Sequence, residues 1–150
     1  MIFINWKKAV ENNKAIVITG TSTGIGKACA LYLDKLGYEV YAGVRKQADG
    51  NNLKKEASSR LTPIVLDVTD TDSISSAVSI IDKETGGNLF GLINNAGIGR
   101  GGALEVTPVT EMRKLMEVNV IGLMVVTQSF IPMLRKAKGR IINIGSTSGY

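Results

Sequence analysis

From Lys14 onward, short apolar runs of strand length alternate with longer segments whose apolar residues recur at helical spacing. Ala15 to Ile18 is the first run; it passes through Thr19 and Gly20 into a helix-length segment with Ala28, Leu31 and Leu33 to Leu36. Gly37 stops that helix, and Glu39 to Val44 (EVYAGV) reads as a second strand rich in β-formers. Asp49 to Ser59 is polar apart from Leu53, which predicts a short, exposed second helix. Leu61 to Leu66 predicts a third strand in spite of Pro63. Asp70 to Glu84 is the clearest amphipathic helix, with Ile74, Ala77, Val78 and Ile81 on one side, Asp70 or Thr71 as cap and Gly86 and Gly87 as stop. Leu89 to Ile93 is a fourth strand, leading through Asn94 to Gly97 into a glycine-rich loop that ends at Gly102. Pro108 to Phe130 is helical by pattern, and Pro132 ends or bends it. From Val118 to Leu134 this helix is apolar nearly all round, which predicts burial on more than one side, in the core or in a subunit interface. Arg140 to Ile144 is the fifth strand.

Five alternations of strand and helix predict an α/β fold, a doubly wound parallel sheet with helices on both faces, incomplete at its C-terminal side. Residues 1–14 read as an N-terminal extension, one helical turn packed by Trp6, and residues 15–150 as the domain itself. In such a sheet the ligand crevice opens at the carboxyl ends of the strands, where the winding reverses. The glycine turn, Arg45, Asp67, Asn94 to Gly97 and Ser146 follow strands one to five in that order, so all are expected on one rim.

The turn between the first strand and helix carries Gly20, Gly24 and Gly26. Its helix N-terminus offers unpaired N–H groups and a positive dipole end to whatever lies beyond the strand. Gly20 permits the sharp turn, Gly24 removes a Cβ from the path of an anion, and Gly26 permits close helix packing. The expected ligand is the pyrophosphate of a dinucleotide.

Composition narrows the chemistry. The chain has 150 residues, 44% hydrophobic and 21% charged, an ordinary globular balance for one domain. Its net charge of +5, from 18 basic and 13 acidic residues, is spread without a dense basic tract, which suits anionic small molecules and argues against nucleic acid. Cys29 is the one cysteine, so no intrachain disulfide forms, and it reads as a small apolar side chain in a reducing compartment. No segment reaches the length of a membrane span, and Ile2 to Ile4 is too short and badly flanked for a signal peptide, so a cytoplasmic address is expected. The absence of histidine removes Ser/His/Asp and Cys/His catalysis and nearly every zinc site, and no metal site is expected.

These residues together resemble the short-chain dehydrogenase/reductase family. Thr19, Gly20, Gly24 and Gly26 match its TGxxxGxG motif, Asn94 to Gly97 its NNAG motif, and Asp67 in LDVTD its adenine-side acid. Asn119 and Ser146 match members of its catalytic set. The resemblance implies a Rossmann-like fold and a cofactor site of Gly20, Ser22, Thr23, Gly24, Ile25 and Gly26 in the turn, with Arg45, Asp67, Val68, Asn95, Ala96 and Gly97 on the following exits. It implies hydride exchange between a nicotinamide and a carbonyl or secondary alcohol. Ser146 would hydrogen-bond the substrate oxygen, and Asn119 would place a water in a proton relay. It further implies a homo-oligomer. The family's proton transfer uses a tyrosine followed four positions on by a lysine, beyond the serine; none of Tyr32, Tyr38 or Tyr41 has that lysine, and Tyr150 is the last residue. The sequence therefore reads as the N-terminal portion of such an enzyme, expected to be inactive alone.

Val44 and Arg45 decide the cofactor expected. NAD calls for an acid near the end of strand two and NADP for a cation; Val44, Arg45 and Lys46 stand there, which predicts NADP over NAD. Two other readings remain open. GTSTGIGKA resembles a phosphate loop, but Thr21 stands where its first glycine belongs and Ala28 where a magnesium-binding hydroxyl belongs. A noncatalytic module that kept the cofactor fold is the second.

Overall fold

The computed structural model describes residues 14–146. The N-terminal turn with Trp6 and the stretch from Thr147 to Tyr150 lie outside them. The described chain runs β1 (Ala15–Ile18), α1 (Gly24–Lys35), β2 (Glu39–Val44), α2 (Gln47–Lys54), β3 (Leu61–Val65), α3 (Thr71–Thr85) and β4 (Gly91–Asn94). A 3₁₀ turn (Leu104–Val106), α4 (Val109–Met116), a π-helical stretch (Glu117–Gly122), α5 (Leu123–Ala137) and β5 (Arg140–Asn143) follow. All five strands are parallel, in the order β3-β2-β1-β4-β5. The winding reverses beside β1, between β2 and β4, as a doubly wound sheet requires.

The period of two along each strand sorts side chains into two cores. Ala15, Val17, Tyr41 and Leu92 face the layer of α3 and α5, where Ile74, Ala77, Ile81, Val126 and Phe130 are buried. Their neighbours Ile16, Ile18, Val40, Ala42 and Ile93 face the other layer, with Ala30 of α1 and Leu53 of α2. Cys29 packs on this second core, and burial pushes its thiol pKa up, as an apolar role predicts.

Local signals act where the sequence puts them. Asp70 caps α3 by accepting from the N–H groups of Asp72 (2.9 Å) and Ser73 (3.2 Å), and Gly86 closes it in the left-handed conformation at φ 59°. Pro63 is tolerated because β3 is an edge strand.

The long helix departs from expectation in three ways. Pro132 neither ends nor visibly divides it: helix continues from Val109 to Ala137. A proline inside a helix costs roughly 3 kcal/mol, and burial of Phe130, Met133 and Leu134 around it offsets that at about 1.5–3 kcal/mol for each full side chain. The continuous helix of 29 residues is long and apolar enough to cross a membrane by length and composition, contrary to the expectation that no segment would be. Only its inner side is buried in the core, through Val126, Phe130, Met133 and Leu134, whereas Met112, Met116, Val120 and Met124 are exposed. Among the described residues, therefore, burial on more than one side of this helix is not found.

Candidate functional site

The strand exits converge on a cleft of about 350 Å³ at the carboxyl rim of the sheet. Gly20, Ser22, Thr23, Ile25 and Gly26 form its wall after β1. Arg45 follows β2; Leu66, Asp67, Val68 and Thr69 follow β3; Asn95, Ala96, Gly97 and Ile98 follow β4. Val118, from the π-helical stretch, closes the far side. The cofactor residues expected from sequence thus come together, except that Gly24 belongs to the turn without lining the cleft. Leu66, Thr69, Ile98 and Val118 were not singled out from sequence; each is a near neighbour of a residue that was.

The glycine turn is held in place from β4. The Thr19 hydroxyl oxygen accepts from the N–H groups of Asn95 (3.0 Å) and Ala96 (2.9 Å). The Asn95 side-chain amide donates back to the carbonyls of Thr19 and Gly20, both at 3.0 Å. A Cβ at Gly20 would lie 2.8 Å from Cα of Ala96, and one at Gly26 would overlap the Asn95 amide and the Gly20 carbonyl. Gly26 therefore lets the start of α1 pack closely on the ends of β1 and β4, with room for the Asn95 staple. The first N–H groups of α1 have no intrahelical partner, and Thr23 at its N-cap supplies none from its side chain. They remain available to an anion. Gly24, at φ 59°, has nothing within 4 Å of where a Cβ would stand, so the approach is open.

The other exits add charge and shape. Arg45 is exposed, and among the described residues it joins no ion pair. Val44 ends β2 and is buried at 1% exposure, and Arg45, the next residue, lines the cleft. One carboxylate oxygen of Asp67 accepts from the Thr69 N–H (3.0 Å) and hydroxyl (2.8 Å), which orients its second oxygen. Gly122 lets the helix descend on β3's exit: a Cβ there would lie 2.6 Å from the Val68 carbonyl oxygen.

Asn119 lies in the π-helical stretch, outside the cleft lining. Its Nδ2 donates to the Ile98 carbonyl and its Oδ1 accepts from the Ile98 N–H, both at 2.9 Å. The side chain clamps the loop after β4, with one hydrogen and one lone pair left over. Ser146 follows β5, whose end is tied to β4 through Ile144 N–H donating to the Asn94 carbonyl (2.9 Å). Ser146 is therefore at the rim, next to the β4 exit but outside the cleft lining. Tyr41 offers no substitute acid: it is fully buried, and burial first, then its neighbours Glu84 and Glu39, hold its hydroxyl pKa far above the ordinary phenol value. Among the described residues no cluster of ligands could hold a metal ion.

The phosphate-loop reading fails on geometry. Lys27 Nζ pairs with Glu56 at 2.7 Å and does not line the cleft, and Thr21 is buried against β2. The family model for short chain dehydrogenases matches residues 14–150. The chain belongs to the short chain dehydrogenase family. Among curated members it is 40% identical over 144 residues to estradiol 17-beta-dehydrogenase 2 of Mus musculus, spanning 92% of this chain and 37% of that protein. It is 38% identical to dehydrogenase/reductase SDR family member 9 of Bos taurus (97% and 47%) and 36% identical to retinol dehydrogenase 7 of Mus musculus (91% and 44%). A crystal structure of a short-chain dehydrogenase from Streptomyces avermitilis superposes with a TM-score of 0.84 at 32% identity, over 93% of this chain and 51% of that one. The chain thus spans less than half the length of these curated short chain dehydrogenases.

Proposed function

We propose that this chain is the cofactor-binding portion of an NADP(H)-dependent oxidoreductase, which when intact moves hydride between a nicotinamide and a small-molecule carbonyl or secondary alcohol. The observation that carries this reading is the convergence of the stapled glycine turn, Arg45, Asp67 and Asn95 to Gly97 on one cleft. The N–H groups of α1, with Ser22 and Thr23 beside them, bind the pyrophosphate. Arg45 meets the 2′-phosphate of the ribose, since no carboxylate stands at the β2 exit and its guanidinium is unpaired among the described residues. Asp67 orients the adenine and Val68 packs beside it. The nicotinamide, when bound, supplies or accepts the hydride. Ser146 hydrogen-bonds the substrate oxygen, and Asn119 holds the loop that faces it. The relatives named for estradiol and retinol support an alcohol as substrate class. A homo-oligomer in the cytoplasm is part of the same reading.

Binding tests it. Titration with NADPH and NADH should show tighter NADPH binding, and Arg45→Ala should remove roughly tenfold of it while leaving NADH nearly unchanged. Tighter NADH binding by the wild-type chain would sink the cofactor assignment. A buried Val44 makes Val44→Asp a poor probe, because it would place a carboxylate in the core. By itself the 150-residue chain is expected to be catalytically silent: Ser146 is too weak an acid at neutral pH to serve as the general acid, and Asn119 does not titrate. Loss of a positioned general acid costs about 10²- to 10⁴-fold in rate. Oxidation of NADPH against ketones and aldehydes at ordinary enzyme rates, surviving Ser146→Ala, would contradict this placement of the chemistry.

A further inference from the structure

Thr21 sits inside the glycine turn yet does not line the cleft, and it is fully buried. Both of its donors go to one acceptor: its backbone N–H and its hydroxyl each reach the Gly43 carbonyl at 2.9 Å. That carbonyl belongs to a tightly held piece of β2. A Cβ at Gly43 would lie 3.0 Å from the Ile18 carbonyl oxygen and 3.1 Å from Cδ2 of Leu66. The next carbonyl, of Val44, accepts from the Leu66 N–H at 2.9 Å. Arg45 then leaves the strand two residues beyond the group that Thr21 grips. The turn is thus joined to β4 through Thr19 and Asn95, and to β2 through Thr21.

We propose that Thr21 is a positioning residue that sets the spacing between the N-terminus of α1 and Arg45, so that an adenosine carrying both a 5′- and a 2′-phosphate engages the two at once. This rests on the NADP(H) reading above. A ligand held at two points gains affinity only when both points are already at the right separation; a ligand held at one point does not sense that separation. The hydroxyl of Thr21 makes a buried bond between the two points, and its removal loosens one against the other. Valine keeps the shape, and the Gly43 carbonyl keeps the backbone N–H as donor, so no buried acceptor is orphaned.

The test uses two probes on the 150-residue chain: adenosine 2′,5′-bisphosphate, which spans both points, and adenosine 5′-monophosphate, which reaches one. Thr21→Val should weaken the bisphosphate by about 3- to 10-fold and the monophosphate by less than about 2-fold, with Thr21→Ser behaving as wild type. The ratio of the two dissociation constants is the readout, because partial unfolding of a variant scales both and leaves the ratio unchanged. A ratio in Thr21→Val equal to wild type, whether both probes weaken or neither does, overturns the role of Thr21 while leaving the 2′-phosphate reading intact. Equal wild-type affinity for the two probes overturns both.

Discussion

Gly20 and Gly24 share a positive φ, 70° and 59°, but differ in what surrounds them. At Gly20 an added Cβ meets Cα of Ala96, so alanine carries a backbone penalty of about 1–2 kcal/mol and a packing penalty of about 1–3 kcal/mol. At Gly24 only the backbone penalty applies. Urea denaturation should show Gly20→Ala destabilised by roughly 3 kcal/mol and Gly24→Ala by about 1 kcal/mol. Equal losses would mean that the β4 exit yields to the turn. The need for these glycines was legible from their spacing after an apolar run. Which neighbour enforces Gly20 was not, because Ala96 lies far along the chain.

Capping and latching belong to the level of the element. Asp70→Ala removes the acceptor for two N–H groups at the start of α3 and should lower stability by about 1 kcal/mol in equilibrium unfolding. An unchanged midpoint would assign those N–H groups to water at no cost. Farther along, Glu111 at the start of α4 takes Lys114 at 3.0 Å and Arg100 of the glycine-rich loop at 3.2 Å. The Lys114 hydrogen bond first, then Arg100, holds its carboxyl pKa below the usual range. A lowered folded-state pKa means that the latch is complete above the unfolded carboxylate value and is lost as pH falls through the folded one. Amide exchange in the loop around Arg100, corrected for intrinsic rates, should therefore rise only as pH drops below the ordinary Glu range. In Glu111→Gln that pH dependence should vanish; its persistence would place the titrating group elsewhere. The helix signals were legible in sequence, whereas the π-helical stretch at Asn119 was not. Its cause is tertiary, since Gly122 packs on Val68 and Asn119 clamps Ile98.

At the scale of the molecule, no described residue covers the outer side of the long helix or the free edge of strand β5, and both carry apolar surface. Met116 and Met124 are 52% and 50% exposed, and Ile141 and Ile142 of β5 are 43% and 50% exposed. Such surface, with an open strand edge, favours association with another copy. Sedimentation of the 150-residue chain should show concentration-dependent self-association, reduced in Met116→Lys with Met124→Lys. A stable monomer across micromolar concentrations would contradict it.

The sequence by itself determined the order of the strands and α-helices, the parallel winding and the residues that stand at each strand exit. Those follow from periodicity and from glycine, proline and cap residues, which act over a few positions. Asp67 and Asn95 to Gly97 could be assigned to one rim because strand direction alone places every exit on the same edge. What lies between exits was decided only by tertiary structure. Val44 turned inward while Arg45 reached the cleft, Lys27 went to Glu56, Thr21 reached Gly43, and the helix ran through Pro132. Each outcome balances packing and hydrogen bonding against groups more than a dozen residues away or against the burial of a whole helix face. No local pattern in the chain encodes that balance.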